Sequence, residues 1–136
     1  MRAELCVLVA GLGLLAASAP LMAHHSFAAE YDASKPITIS GVVTKVEWMN
    51  PHARFYLDVK DATTGAITKW EFELGSPNVL MRMGWSRHSL KVGDVVTVEG
   101  ALAKDGSKLA NARKVTLADG RKVFAGSALD QNKEQP

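Results

Sequence analysis

From Ile37 to Phe124, apolar and polar residues alternate in short runs, the two-residue period of strands that bury one face. The first run, Ile37 to about Met49, changes phase once. Ile37 and Ile39 share one face, Val42, Val46 and Trp48 share another, and Gly41 stands between the sets. A glycine at such a change predicts a bulge or bend in one long strand. Asn50-Pro51-His52 then reads as a turn, with asparagine first and proline, whose φ is preset, second. The next strand sets Phe55, Leu57 and Val59 against Arg54, Tyr56, Asp58 and Lys60, and Asp61 to Gly65 closes a hairpin. A third strand puts Trp70, Phe72 and Leu74 inward and Lys69, Glu71 and Glu73 outward.

The period then breaks. Ser76 suits a helix N-cap, Pro77 the first helical position and Gly84 the position past the last turn, which predicts one helix of about two turns. Residues 85–90 read as a connector and 91–94 as a turn. A fourth strand runs from Val95 to Leu102 with Val96, Val98 and Leu102 on the core face, and a fifth from about Leu109 to Leu117. Asp119-Gly120 signals a hairpin into a short strand, Lys122 to Phe124. The order of three strands, a short helix and two or three strands predicts an all-β domain with one short helix, a five- to six-stranded OB-like barrel. A six-stranded open barrel of other connectivity is the alternative. Small barrels of the OB type carry ligands on the loop between strands 1 and 2, the loop between strands 4 and 5, and the face of strands 2 and 3. Here those are the His52 turn, the Ala103–Lys108 loop and residues 54–73.

The N-terminus changes the picture. Met1-Arg2-Ala3-Glu4 precedes an apolar run from Leu5 to Ala17 and a segment ending in Ala23, the layout of a secretory signal peptide cleaved after Ala23. The run is shorter than the roughly 20 residues of a membrane span; an uncleaved anchor is the other reading. The expected organisation is therefore a signal peptide at 1–23, an extended arm at 24–36 anchored by Phe27 and Tyr31, an OB-like barrel at 37–126 and a disordered polar tail at 127–136. The expected location is periplasmic or secreted, with no stable membrane insertion after cleavage.

Composition removes several chemistries. The single cysteine, Cys6, falls within the signal peptide, so the mature chain has no thiol, disulfide or cysteine-ligated zinc. The formal charge is +2 and the two signs are interleaved. With no basic stripe, and with export, nucleic acid is not expected as a partner.

His24-His25-Ser26-Phe27, Trp48-Met49-Asn50-Pro51-His52, Gly75-Ser76-Pro77-Asn78 and the Gly93-Asp94 turn together resemble an uncharacterised family, a domain of unknown function found in small exported proteobacterial proteins. The resemblance spans the mature chain. It implies an exported single-domain protein and supplies no activity, substrate or catalytic residue.

The candidate chemistry lies in the histidines. Cleavage after Ala23 makes His24 the first residue, and its α-amine and ring can chelate one metal ion. A further imidazole from His52 or His25 would give the all-nitrogen set that copper(II) favours, with Asn50 in support. The plainer reading makes them solvated residues of an arm and a turn. His88 falls on the far connector. Arg54, Tyr56 and Trp85, with Asn50, form a candidate patch for a small or aromatic ligand; a solvated strand face is the competing reading. Trp48 and Trp70 fit the core. Asp58, Asp61, Glu71 and Glu73 read as cross-strand charge partners rather than an acid/base pair. No nucleophile elbow or phosphate loop is present, so an enzyme is not expected, and copper-dependent redox chemistry is the one form of activity left to consider. Two functions follow as expectations. One is an exported binding module for copper or a small ligand. The other is a structural or interaction protein that docks on another exported protein.

Overall fold

Strand β1, Tyr31–Glu47, is long enough to serve two partners. Its second half pairs with β2, Arg54–Lys60, and its residues from Tyr31 to Val42 pair with β4, Val95–Ala103. β2 pairs with β3, Ile67–Glu73, and β4 with β5, Leu109–Leu117, which carries the short β6, Lys122–Phe124. A parallel pairing of β3 with β5 closes the ring. The expected barrel is therefore formed, with the circuit β1-β2-β3-β5-β4 of an OB arrangement. The computed structural model describes residues 26–126. The expected signal peptide, His24, His25 and the tail from 127 onward lie outside the described residues. No helix among the described residues is long and apolar enough to cross a membrane.

Alternation places the core. Phe55 and Phe72 are register partners on β2 and β3, and their rings stack with centroids 5.2 Å apart. Leu57, Leu74, Val96, Val98 and Val115 complete the fully buried centre. Trp48 and Trp70 pack against it from partly buried positions.

The phase change in β1 sits elsewhere than expected. Ile37, Ile39 and Val43 lean on the core, the register slips between Val43 and Lys45, and Val46 and Trp48 resume the inward face. Val42 is consequently 41% exposed. Gly41 answers a different need: a β-carbon there would stand 2.7 Å from the carbonyl oxygen of Asp58. Its role is close approach of two backbones, and the bulge falls at Thr44.

The arm is also different. Ser26–Glu30 is a short helix, α1, and Tyr31 already pairs with Ala103. Phe27 and Tyr31 are one helical turn apart, and their rings lie 5.4 Å from each other. Together with Leu109 they cover Ala101 and Ala103 on the outside of the barrel. Lys104 ties α1 down, its N–H donating to Glu30 O at 2.8 Å and its ammonium to Ala28 O.

Helix α2, Pro77–Arg82, plugs the barrel with Pro77 and Leu80. Ser76 accepts from the Val79 N–H and Pro77 occupies the first turn, as the spacing predicts. Gly84 has φ +90°, and the chain folds back so that the Trp85 N–H donates to Leu80 O at 2.9 Å. Ser76→Ala should cost about 1 kcal/mol through loss of the cap, read as a lower midpoint in urea unfolding.

Candidate functional site

The turn from β1 to β2 is clasped to the end of β3. Ala53 N–H donates to Gly75 O at 3.1 Å and Leu74 N–H donates to Ala53 O at 2.8 Å. The Asn50–Pro51 peptide within it is cis. This clasp fixes His52, whose Nδ1 lies 3.2 Å from Leu74 O and 3.7 Å from Glu73 Oε1. Both neighbours accept only, so the neutral ring carries its proton on Nδ1 and leaves the Nε2 lone pair for a ligand. The His52 side chain is 39% exposed.

Glu73 is the unusual member. It ends β3 on the outward face, yet its side chain is 8% exposed. Arg54, opposite it in register, reaches Glu73 Oε2 at 3.4 Å and Glu71 Oε1 at 2.7 Å. Tyr31, the first residue of β1, comes close to it. Burial first, and then the Glu73 carboxylate, push the Tyr31 hydroxyl well above the usual phenol range. Farther along the same face, Tyr56 donates to Glu47 Oε2 at 2.9 Å, and Lys45 pairs with Glu47. The bonds from Lys45 and then Tyr56 hold Glu47 below the usual carboxylate range. The Lys45 ammonium also lies 5.1 Å from the Tyr56 ring centre.

These contacts decide what the face can do. Arg54 and Tyr56 are engaged with carboxylates of their own chain, so the charges largely cancel before any ligand arrives. Asp58 and Lys69, register partners, form an ion pair at 2.9 Å, which is the cross-strand arrangement expected of the outward charges. No group of three or more histidines, cysteines or carboxylates that could hold a metal ion occurs among the described residues.

Residues 11–112 match a family of unknown function, DUF6152. The chain belongs to that family. The match takes in the His52 turn, the Arg54–Glu73 face, α2 and the first four residues of β5. No curated protein matches the chain. Among solved structures, two crystal structures of a mitochondrial single-stranded DNA-binding protein from S. cerevisiae, Rim1, are similar to it. One is 10% identical with a TM-score of 0.49, over 62% of this chain and 93% of that one. The other, selenomethionine-labelled, is 13% identical with the same TM-score and coverage. They correct one expectation. Interleaved charge and export argued against nucleic acid, but the similar structures are single-stranded DNA-binding proteins, and the exclusion does not stand. Charge pattern is a weak criterion here because single strands are also held by stacking on aromatic side chains.

Within this DUF6152 chain the predicted site residues separate. His52, Arg54 and Tyr56 share the β2–β3 face with its turn, and Asn50 is exposed on that turn. Trp85 does not join them. It is 4% exposed in the main core, because the fold-back after Gly84 turns the indole inward. His88 lies apart, lining a hollow of about 410 Å³ with Lys91, Asp94, Asp119 and Arg121, by the start of β4 and the end of β5. In sequence Glu73 reads as one more outward charge, Tyr31 as an anchor of the arm and Asn111 as an ordinary strand residue. A signal existed: Ala101, Ala103 and Asn111 put small or neutral residues on an outward face, which fits a covered surface. The spacing of Phe27 and Tyr31 supplies the cover.

Proposed function

We propose that this protein is a small exported binding module that takes copper(II) at the Asn50-Pro51-His52 turn, with the mature N-terminus completing the ligand set. The observation that carries this reading is the His52 ring. Its Nδ1 faces the Leu74 carbonyl and the Glu73 carboxylate, an arrangement that in the neutral ring leaves the Nε2 lone pair for a ligand. A ring nitrogen bonded to a carbonyl or carboxylate is the usual support of a metal-ligating histidine. His24 would contribute amine and ring nitrogen, and His25 is the other imidazole at hand. His24 precedes Ser26 by two residues, a reach of about 7 Å. α1 leads into Tyr31, which is close to Glu73, the carboxylate beside His52, and this supports an approach of the arm to His52. The layout of residues 1–23 supports export.

Copper titration of the processed protein tests the reading. Binding should be one ion per chain and should weaken by at least about tenfold in His52→Ala. Equal binding by wild type and a His24→Ala, His52→Ala double variant would sink it.

One observation favours a second reading, docking on another exported protein. Val42 and Val95 are register partners that are 41% and 55% exposed, with the more exposed Val92 close by in sequence. A stoichiometric protein partner in periplasmic pull-downs, lost in Val42→Ser/Val95→Ser and accompanied by no bound metal, would favour this reading over copper.

A further inference from the structure

Beneath α1, three buried polar side chains meet on the outer face of the barrel. Tyr31 is 2% exposed, Glu73 6% and Asn111 3%. The parallel β3–β5 ladder sets Glu73 beside Asn111, and the β4–β5 ladder sets Asn111 beside Ala101. Tyr31 packs on Ala101 and Ala103. Asn111 alternates with Ala110 and Ala112, which belong to the main core, so its side chain is on the outer face with that of Glu73. Two atoms here, Tyr31 Oη and Asn111 Oδ1, are buried without a hydrogen-bond partner among the described residues. Buried polar atoms of this kind are costly and are commonly met by internal water. The Glu73 carboxylate lies close enough to the Tyr31 hydroxyl to raise it through charge and a weak hydrogen-bonding contact, without satisfying that hydroxyl as a full hydrogen bond would.

The chemistry of the three groups defines what fits between them. The Asn111 oxygen and the Glu73 carboxylate can only accept, while the Tyr31 hydroxyl can donate. The occupant must give two hydrogen bonds and take one, as water does. A cation is disfavoured because Arg54 already stands 3.4 Å from Glu73. We propose that this niche binds one ordered water molecule, donating to Asn111 Oδ1 and Glu73 and accepting from Tyr31, and so fastening the start of β1 to the carboxylate beside His52. The proposal is independent of copper.

Oxygen-17 relaxation dispersion on the processed protein counts long-lived internal waters, and a high-resolution crystal structure places them. The expected result is a density peak about 2.6–3.2 Å from all three groups and one fewer long-lived water in Asn111→Leu than in wild type. Tyr31→Phe, which removes the donor alone, should shorten that water's residence and speed amide exchange over residues 27–32. Three outcomes would overturn the proposal. One is an unchanged water count in Asn111→Leu. Another is a direct Tyr31–Glu73 hydrogen bond in the crystal. The third is a melting temperature that falls when choline replaces sodium at constant ionic strength, which would assign the niche to a cation. If Asn111→Leu does not fold, the wild-type crystal and Tyr31→Phe still decide the matter.

Discussion

Phe72→Ala is expected to lower the stability of the barrel by about 3–5 kcal/mol, the range for truncating a fully buried phenylalanine. The ring is 0% exposed. It stacks on Phe55 at 5.2 Å and on Trp70 at 6.1 Å, so one truncation strips two aromatic neighbours of a contact. The cavity would have little means of closing. Phe72 is held in register by β2 on one side and by the parallel ladder to Ala110 of β5 on the other. Collapse would therefore have to move strands and not merely side chains. Urea unfolding followed by tryptophan fluorescence measures the change, with Trp70 as a nearby reporter. A cost below about 1.5 kcal/mol would mean that the site relaxes as a volume-conserving swap does, and that the β2–β3–β5 junction is softer than this packing implies.

Gly100→Ala should be nearly as damaging, at about 1–3 kcal/mol and toward the upper end. A β-carbon at this position would stand 2.2 Å from the carbonyl oxygen of Asn111 and 3.1 Å from its carbonyl carbon. These are backbone atoms of a paired strand, so no side chain can swing away to make room. The register of β4 against β5 slips between Glu99 and Gly100, which brings the two chains together at this point. The same displacement would shift Asn111 against Glu73. Gly100→Ala is therefore expected to alter the His52 environment as well as the midpoint, visible as a changed His52 imidazole signal in NMR. A variant as stable as wild type would show that β4 and β5 are farther apart than described.

Much of this fold is legible in the chain. The alternation of Phe55, Leu57, Trp70 and Phe72 specifies two paired strands, and the Ser76-Pro77 to Gly84 punctuation specifies the one helix between β3 and β4. Those features are local and have local causes. What the sequence conceals is set by residues far apart. Glu73 has the pattern of a solvated outward carboxylate, and it becomes buried because residues distant in sequence, Tyr31, Arg54 and Asn111, gather around it. Trp85 follows a helix in a polar connector and reads as surface; one positive-φ glycine is enough to send it inward. Val42 and Val43 are indistinguishable by composition, and a single slipped register decides which is buried. The His52 turn was readable as a candidate site from its residues. The arrangement that gives it meaning, with Nδ1 committed to a carbonyl and a buried carboxylate, depends on the long-range closure of the barrel.

The copper reading depends on a free amine at His24 meeting the Nε2 face of His52. It is tested most directly by electron paramagnetic resonance of the copper-loaded protein after export and processing in cells. The comparison is the same protein carrying one extra residue before His24. The processed protein should show nitrogen couplings from an amine and imidazoles. In the extended protein the amine coupling should disappear, and affinity should fall by about tenfold or more. Identical spectra and equally weak binding in both would contradict it, leaving His24, His25 and His52 as surface histidines.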